Sequence, residues 1–144
     1  MTPYSEIYDL YFGMCSDYDF LALPPENQDN ILEGWLLSSI GEFTNCKTDL
    51  SDRDSGILKT FNVDLKDSEK LILAKYILTN WLSPKLYTVE NLKNYLSSKD
   101  FNMYSPANLL KEIRTTYKEA YQNANKSKIQ YGYKHFDPSK DLII

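Results

Sequence analysis

Apolar residues recur at helical spacing over most of this chain, and the breaks between them are marked by proline, glycine or acid-rich stretches. Tyr4, Ile7, Tyr8, Tyr11, Met14 and Cys15 predict a short amphipathic first helix. Thr2-Pro3 reads as a cap followed by proline in the first turn, and Gly13 with Ser16-Asp17 closes the helix. Leu23-Pro24-Pro25 then breaks the chain, and Glu26-Asn27-Gln28-Asp29 suits the first turn of a second helix. Its apolar face is Ile31, Leu32, Trp35, Leu36, Ile40 and Phe43.

A third helix starts between Asp64 and Ser68 and runs to Leu82. It is apolar nearly all round, through Leu71, Ile72, Leu73, Ala74, Tyr76, Ile77, Leu78, Trp81 and Leu82. Such a helix belongs at the centre of a bundle. Ser83-Pro84 predicts its end, and a shorter helix follows with Val89, Leu92, Tyr95 and Leu96 on one face. Ser105 and Pro106 are a cap and a first-turn proline for a last helix, whose stripe is Leu109, Leu110, Ile113, Tyr117, Ala120, Tyr121 and Ala124. From Ile129 the residues Ile129, Tyr131, Tyr133 and His135 alternate with polar ones and Gly132, which predicts an extended segment. The expected architecture is therefore all-α, a small bundle of about four to five helices. Residues 1–128 form the helical domain and residues 129–144 an extended C-terminal interaction tail.

Four features stand out as candidate subunit or partner contacts. Gly34, Ser38 and Gly41 share a face of the second helix, where each glycine costs about 1 kcal/mol relative to alanine. Either another backbone packs closely there, from a neighbouring subunit, or the face is simply solvated. Residues 44–63 hold no clean period, and this long polar loop, with Asp52, Arg53 and Asp54, suits an interaction loop. Lys111, Arg114 and Lys118 run beside the last helix's stripe, as a solvated flank or as a ridge that docks an acidic partner or tracks a DNA-filled passage. In the tail, Tyr131, Tyr133, Leu142, Ile143 and Ile144 either tuck back onto the bundle or bind another chain.

Composition narrows the function classes. With 144 residues, 42% hydrophobic and 25% charged, the chain is one ordinary globular domain. Twelve tyrosines and two tryptophans point either to an aromatic core or to contact surfaces. The net charge of −4, with acids and bases interspersed, argues against a general nucleic-acid binder. Cys15 and Cys46 lack Cys-x-x-Cys partners and read as reduced, packed thiols. The Met-Thr-Pro-Tyr start has no leader character, and no apolar run reaches the roughly twenty residues of a membrane span.

Parts for catalysis are scarce. His135 is the only histidine, the five glycines are scattered, and no nucleophile motif surrounds either cysteine. Asp49, Asp52 and Asp54 come nearest to a metal loop, yet their spacing is not that of an EF-hand and no Glu closes it. The expectation is a non-enzyme without metal or cofactor.

An ordered series of segments carries a resemblance. It comprises Tyr18-Asp19-Phe20-Leu21, Cys46-Lys47-Thr48-Asp49-Leu50-Ser51-Asp52-Arg53-Asp54, Phe61-Asn62-Val63-Asp64-Leu65, Trp81-Leu82-Ser83-Pro84, and Asp100-Phe101-Asn102-Met103-Tyr104-Ser105-Pro106-Ala107. Taken in order, these resemble the small neck proteins of siphophages and myophages of Gram-positive hosts, the head–tail connector or head-completion proteins. The resemblance covers roughly Tyr18 to Tyr133 and includes no catalytic fingerprint. It implies a helical adaptor whose copies form a dodecameric ring under the portal protein, above a further neck or tail-completion protein. Double-stranded DNA would pass through the channel without sequence-specific binding. The implied location is the head–tail interface of the virion, after assembly in the bacterial host cytoplasm and without a membrane step. The competing reading is a small acidic helical binding module, of the immunity or anti-defence type, that occludes a partner. It predicts a concentrated acidic face, whereas the acids here are spread along the chain.

Overall fold

The computed structural model describes residues 1–15, 17–95 and 106–141. It is mainly helical. Helices α1 (Tyr4–Met14), α2 (Tyr18–Leu21), α3 (Pro25–Glu42), α4 (Asp67–Tyr95), α5 (Pro106–Lys134) and α6 (Pro138–Asp141) follow one another along the chain. Helix α4 is the axis, and α1, α3 and α5 all pack against it. Ile72, Leu73, Ala74, Tyr76 and Ile77 are buried there, which accounts for an apolar pattern on every side. The core continues through Tyr4, Ile7, Tyr8 and Tyr11 of α1 and Leu32 and Leu36 of α3. Phe43, Leu50, Phe61, Ala124 and Tyr131 complete it.

Polar ties fix the helices in register. Asn80 donates from Nδ2 to Trp35 O at 3.1 Å and to Ser39 Oγ at 3.2 Å, joining α4 to α3. Tyr76 donates to Asn125 Oδ1 at 2.6 Å, joining α4 to α5. Buried hydroxyls and amides are tolerated because they meet partners.

Three expectations need correcting. Ser83-Pro84 does not end the helix, and α4 continues through Pro84. Proline removes one helical hydrogen bond, and contacts on either side offset that loss. Trp81 Nε1 donates to Asp17 Oδ2 at 2.9 Å, Lys85 Nζ lies 3.6 Å from the same oxygen, and the Lys85 ammonium sits 4.7 Å from the Trp81 ring centre.

Thr2-Pro3 does not open the first helix by capping it. It forms strand β1 (Thr2–Pro3) of a small antiparallel sheet with β2 (Arg53–Asp54) and β3 (Thr60–Phe61), in the order β1-β3-β2. Thr2 pairs with Phe61, and Arg53 pairs with Phe61 from the other side. Thr2 Oγ1 donates to Val63 O at 3.0 Å and accepts from Leu65 N at 2.9 Å, so its hydroxyl anchors the approach to α4. Strands of two residues are too short to leave a period in the sequence.

The segment from Ile129 is not extended. It is the last turn and a half of α5, and Tyr131 is 3% exposed. Gly132 allows a close approach within that turn. A Cβ there would stand 2.8 Å from Asn45 Nδ2, which donates to Lys128 O at 3.1 Å. The boundary drawn at 128/129 therefore cuts through a helix.

Tyr131 makes a core contact with Phe43, their rings 5.0 Å apart and nearly perpendicular. A chain stopped after Lys128 is expected to lose about 3–5 kcal/mol, the range for deleting a large buried aromatic. Urea denaturation followed by helical circular dichroism checks this. A truncated chain as stable as the full one would place Tyr131 outside the core.

Candidate functional site

The most constrained junction lies where the 44–50 loop, the start of α4 and the end of α5 meet. Its centre is Glu69, 0% exposed. Lys66 O accepts the first helical bond, from Lys70 N, so Lys66 caps the helix and Glu69 is its third residue. Glu69 Oε1 accepts from Lys66 N at 2.8 Å, the reach-back half of a capping box. Thr48 Oγ1 donates to both carboxylate oxygens at 2.9 and 2.8 Å. Tyr131 OH donates to Oε2 at 2.7 Å, and the Cys46 thiol donates to the same oxygen at 3.2 Å. The phenol oxygen of Tyr131 in turn accepts from Lys47 N at 2.9 Å.

Burial opposes the charge on Glu69, and the hydrogen bonds from Lys66 N, Tyr131, Thr48 and Cys46 outweigh it. The carboxyl therefore titrates below its ordinary value. The same arrangement acts oppositely on the thiol. Burial first, then the hydrogen bond and charge of Glu69, push Cys46 up to about 12. Cys46 is held as a thiol donor, the wrong form for a nucleophile.

His135 stacks on Tyr131 with ring centres 4.2 Å apart, and its Nδ1 lies 3.0 Å from Tyr131 O. Among the described residues no hydrogen bond joins it to Cys46. Cysteine, histidine and acid thus share one neighbourhood without the geometry of a catalytic set. Among the described residues no group of three or more His, Cys, Asp or Glu side chains could hold a metal ion. Likewise, no described helix is long and apolar enough to cross a membrane.

The sequence-derived candidates separate into several places. Gly34, Ser38 and Gly41 lie on the exposed face of α3, and a Cβ at either glycine would meet nothing within 4 Å. Leu37, 38% exposed, sits among them. Asp52 and Asp54 are occupied in shaping the loop. Asp52 Oδ1 accepts from Asn62 Nδ2 at 2.9 Å, and Asp54 Oδ1 accepts from Gly56 N at 2.8 Å and Ile57 N at 3.3 Å. Arg53 Nη1 donates to Leu50 O at 2.8 Å. Asp49 serves a turn in the same way, accepting from Ser51 N at 3.0 Å.

Lys111, Arg114 and Lys118 lie on the exposed side of the first half of α5. Tyr133 is 81% exposed on its last turn, whereas Tyr131 is internal and drops out as a contact for another chain. Leu142, Ile143 and Ile144 lie outside the described residues. Sequence reasoning missed Glu69, whose only signal was an acid at the third position of a helix.

No family model, curated protein or solved structure matches this chain.

Two measurements check the junction. Glu69→Gln is expected to cost about 2–4 kcal/mol at pH 7, because an amide NH₂ would face donors and the charge-assisted bonds are lost. The lowered carboxyl pKa fixes the sign of the pH effect. Its contribution is full above the unfolded value, about 4.3, and is lost as pH falls through the folded value. Urea unfolding of both proteins from pH 7 to 3 should show the gap closing below about pH 4, and a constant gap would refute the assignment. Cys46 should also resist alkylation by iodoacetamide at pH 8 in the folded protein and react fully in urea, as quantified by mass spectrometry.

Proposed function

We propose that this chain is a structural virion protein of a tailed phage, a head–tail connector that forms a ring between the portal and the tail. The observation that carries the reading is where the segments resembling that family fall. Tyr18–Leu21 is α2, whose Phe20 is buried and stacks on Trp35 at 5.7 Å. Cys46 and Thr48 hold Glu69, Phe61 is fully buried, and Trp81 is hydrogen-bonded to Asp17. The segments that carry the resemblance therefore coincide with joints of the framework, which supports reading it as a likeness of fold and not of one surface stretch. Of the quoted series, Asp100–Ser105 lies outside the described residues.

The open face of α3 supports the reading from a second direction. The chain's own fold does not require glycine at positions 34 and 41, and each costs helix stability. A neighbouring subunit packed closely on that face gives those glycines a use. Copies of a small adaptor need little affinity for one another, because a twelvefold portal gathers them and the closed ring multiplies modest contacts. The net charge of −4 suits a channel wall, which would retard DNA if it neutralised phosphates. In this reading the ring extends the channel, completes the head and meets a further neck or tail-completion protein below. Catalysis has no part in it.

Gly34→Leu separates fold from assembly. The open space at Gly34 and the better helix former predict a monomer at least as stable as the parent, by up to about 1 kcal/mol. The added side chain should block ring formation on purified portal, as seen by light scattering and electron microscopy. Rings of normal size and occupancy from this variant would remove α3 from the interface. A tight dimer of the parent that ignores portal would remove the connector reading itself.

A further inference from the structure

The end of α5 carries an apolar face that the described residues leave uncovered. Ile129, Tyr133 and Phe136 are 56%, 81% and 49% exposed. Ile129 and Tyr133 lie one turn apart, about 40° from each other around the helix axis. Phe136 follows just past the helix, its N–H donating to Tyr133 O at 3.4 Å. Tyr131, between them in sequence, points the other way and is buried. Single apolar groups on a surface need no explanation, but three grouped at one helix end mark a contact surface. A tyrosine standing mostly in solvent is also the residue type that anchors such contacts.

Charge says what covers this face. From Ala120 to Phe136 the chain holds Lys126, Lys128 and Lys134 and no acid. Lys126 and Lys134 are exposed. Helix α3 has the reverse balance, with Glu26, Asp29, Glu33 and Glu42 and no lysine or arginine. Lys59 answers Glu33 at 2.6 Å, and three acids of the helix remain beyond that pair. Two copies of the α5 face laid together would oppose lysine to lysine, and two copies of α3 would oppose acid to acid. The crossed pairing joins opposite charges and covers Ile129 and Tyr133 at the same time.

We propose that in each copy the apolar end of α5, at Ile129, Tyr133 and Phe136, docks on the open α3 face of a second copy. This rests on the connector reading, which makes that face a subunit contact, and it names what meets it there. A Cβ at Gly34 or Gly41 would meet nothing within 4 Å, so the Tyr133 ring has room to lie close to the α3 backbone. Gly34, Ser38, Gly41, Ile129 and Tyr133 are all exposed in one chain, so neither face covers the other. Joining them is a head-to-tail contact, the kind that closes into a ring when its rotation closes. Duplex DNA is the poorer occupant. Its phosphates would answer the lysines but would give Ile129 and Phe136 no apolar contact.

The contact can be read on the full chain alone, with amide chemical shifts followed by NMR up to about 1 mM protein. Shifts at both Ile129–Tyr133 and Gly34–Gly41 should move with protein concentration, and the movement should fade as salt is raised. Lys126→Glu combined with Lys134→Glu should weaken this association at least about tenfold. Adding Asp29→Lys and Glu42→Lys to the same chain should restore it to within about threefold of the parent. Tyr133→Ser should weaken it about fivefold or more. All five positions are exposed, so melting of each variant should stay near that of the parent. Movement at one face without the other, no movement at about 1 mM, or a charge-swapped chain as weak as the lysine variant overturns the proposal. Shifts at Ile129–Tyr133 that answer duplex DNA and not protein concentration assign the face to nucleic acid instead. Normal rings on portal from the lysine variant overturn this contact and leave the connector reading standing. A parent that self-associates as described yet forms no ring on portal overturns the connector reading and leaves the contact.

Discussion

The fold depends on keeping one carboxylate ionised inside it. An isolated buried charge is among the costliest groups a protein can hold, and it persists only with several well-aligned donors. Glu69 meets this condition by drawing donors from Cys46, Thr48, Lys66 and Tyr131. These come from a loop 21 residues upstream and a helix 62 residues downstream, so one side chain closes two long excursions of the chain. Displacing any of these segments would leave a buried charge under-solvated. That penalty makes the junction a specificity device more than a source of net stability.

A second carboxylate does related work at the α2 and α4 junction. Asp17 caps α2, accepting from Asp19 N at 3.2 Å and Phe20 N at 3.4 Å, and its other oxygen takes the Trp81 indole N–H. The Trp81 bond is the leading reason its pKa lies below the usual range; desolvation opposes it, and the Phe20 and Asp19 backbone bonds and the Lys85 charge add to the lowering. Glu69 thus fixes the first turn of α4 while Asp17 fixes the turn containing Pro84. Between them Asn80 and Tyr76 hold α3 and α5. The central helix is pinned at intervals along its length, which explains how it runs through a proline.

How much of this was legible depended on the length of each signal. The all-round apolar run from Leu71 to Leu82 named the central helix, because no surface helix could afford it. In α5, Leu110, Tyr117, Ala124 and Tyr131 recur every seven residues, and Leu110, Ala124 and Tyr131 are buried. Read forward, that heptad carries the helix past residue 129. The alternation of Ile129, Tyr131 and Tyr133 obscured it, although Ile129 and Tyr133 are 56% and 81% exposed and only Tyr131 points inward. The two-residue strands and the Glu69 junction left no periodic trace, since both arise from partners distant in sequence. The tyrosines, open between core and surface roles, turn out to fill both. Tyr4, Tyr8, Tyr11, Tyr76 and Tyr131 are internal, while Tyr18, Tyr87 and Tyr133 are 63–83% exposed.

The distribution of constraint also bears on how the molecule could assemble. The long-range polar ties converge on α4 and on the 44–66 stretch, and the outer face of α3 around Gly34, Ser38 and Gly41 lies away from them. The outer face of α3 around Gly34, Ser38 and Gly41 can change its neighbours without moving the core, because packed interiors respond in discrete steps and not by gradual deformation. Inside the chain the Cβ positions of Gly34 and Gly41 are open, so the fold itself sets no requirement for glycine at either place. Under the connector function proposed above, helix stability given up at these positions would be offset by contacts that are weak singly and add around a closed ring.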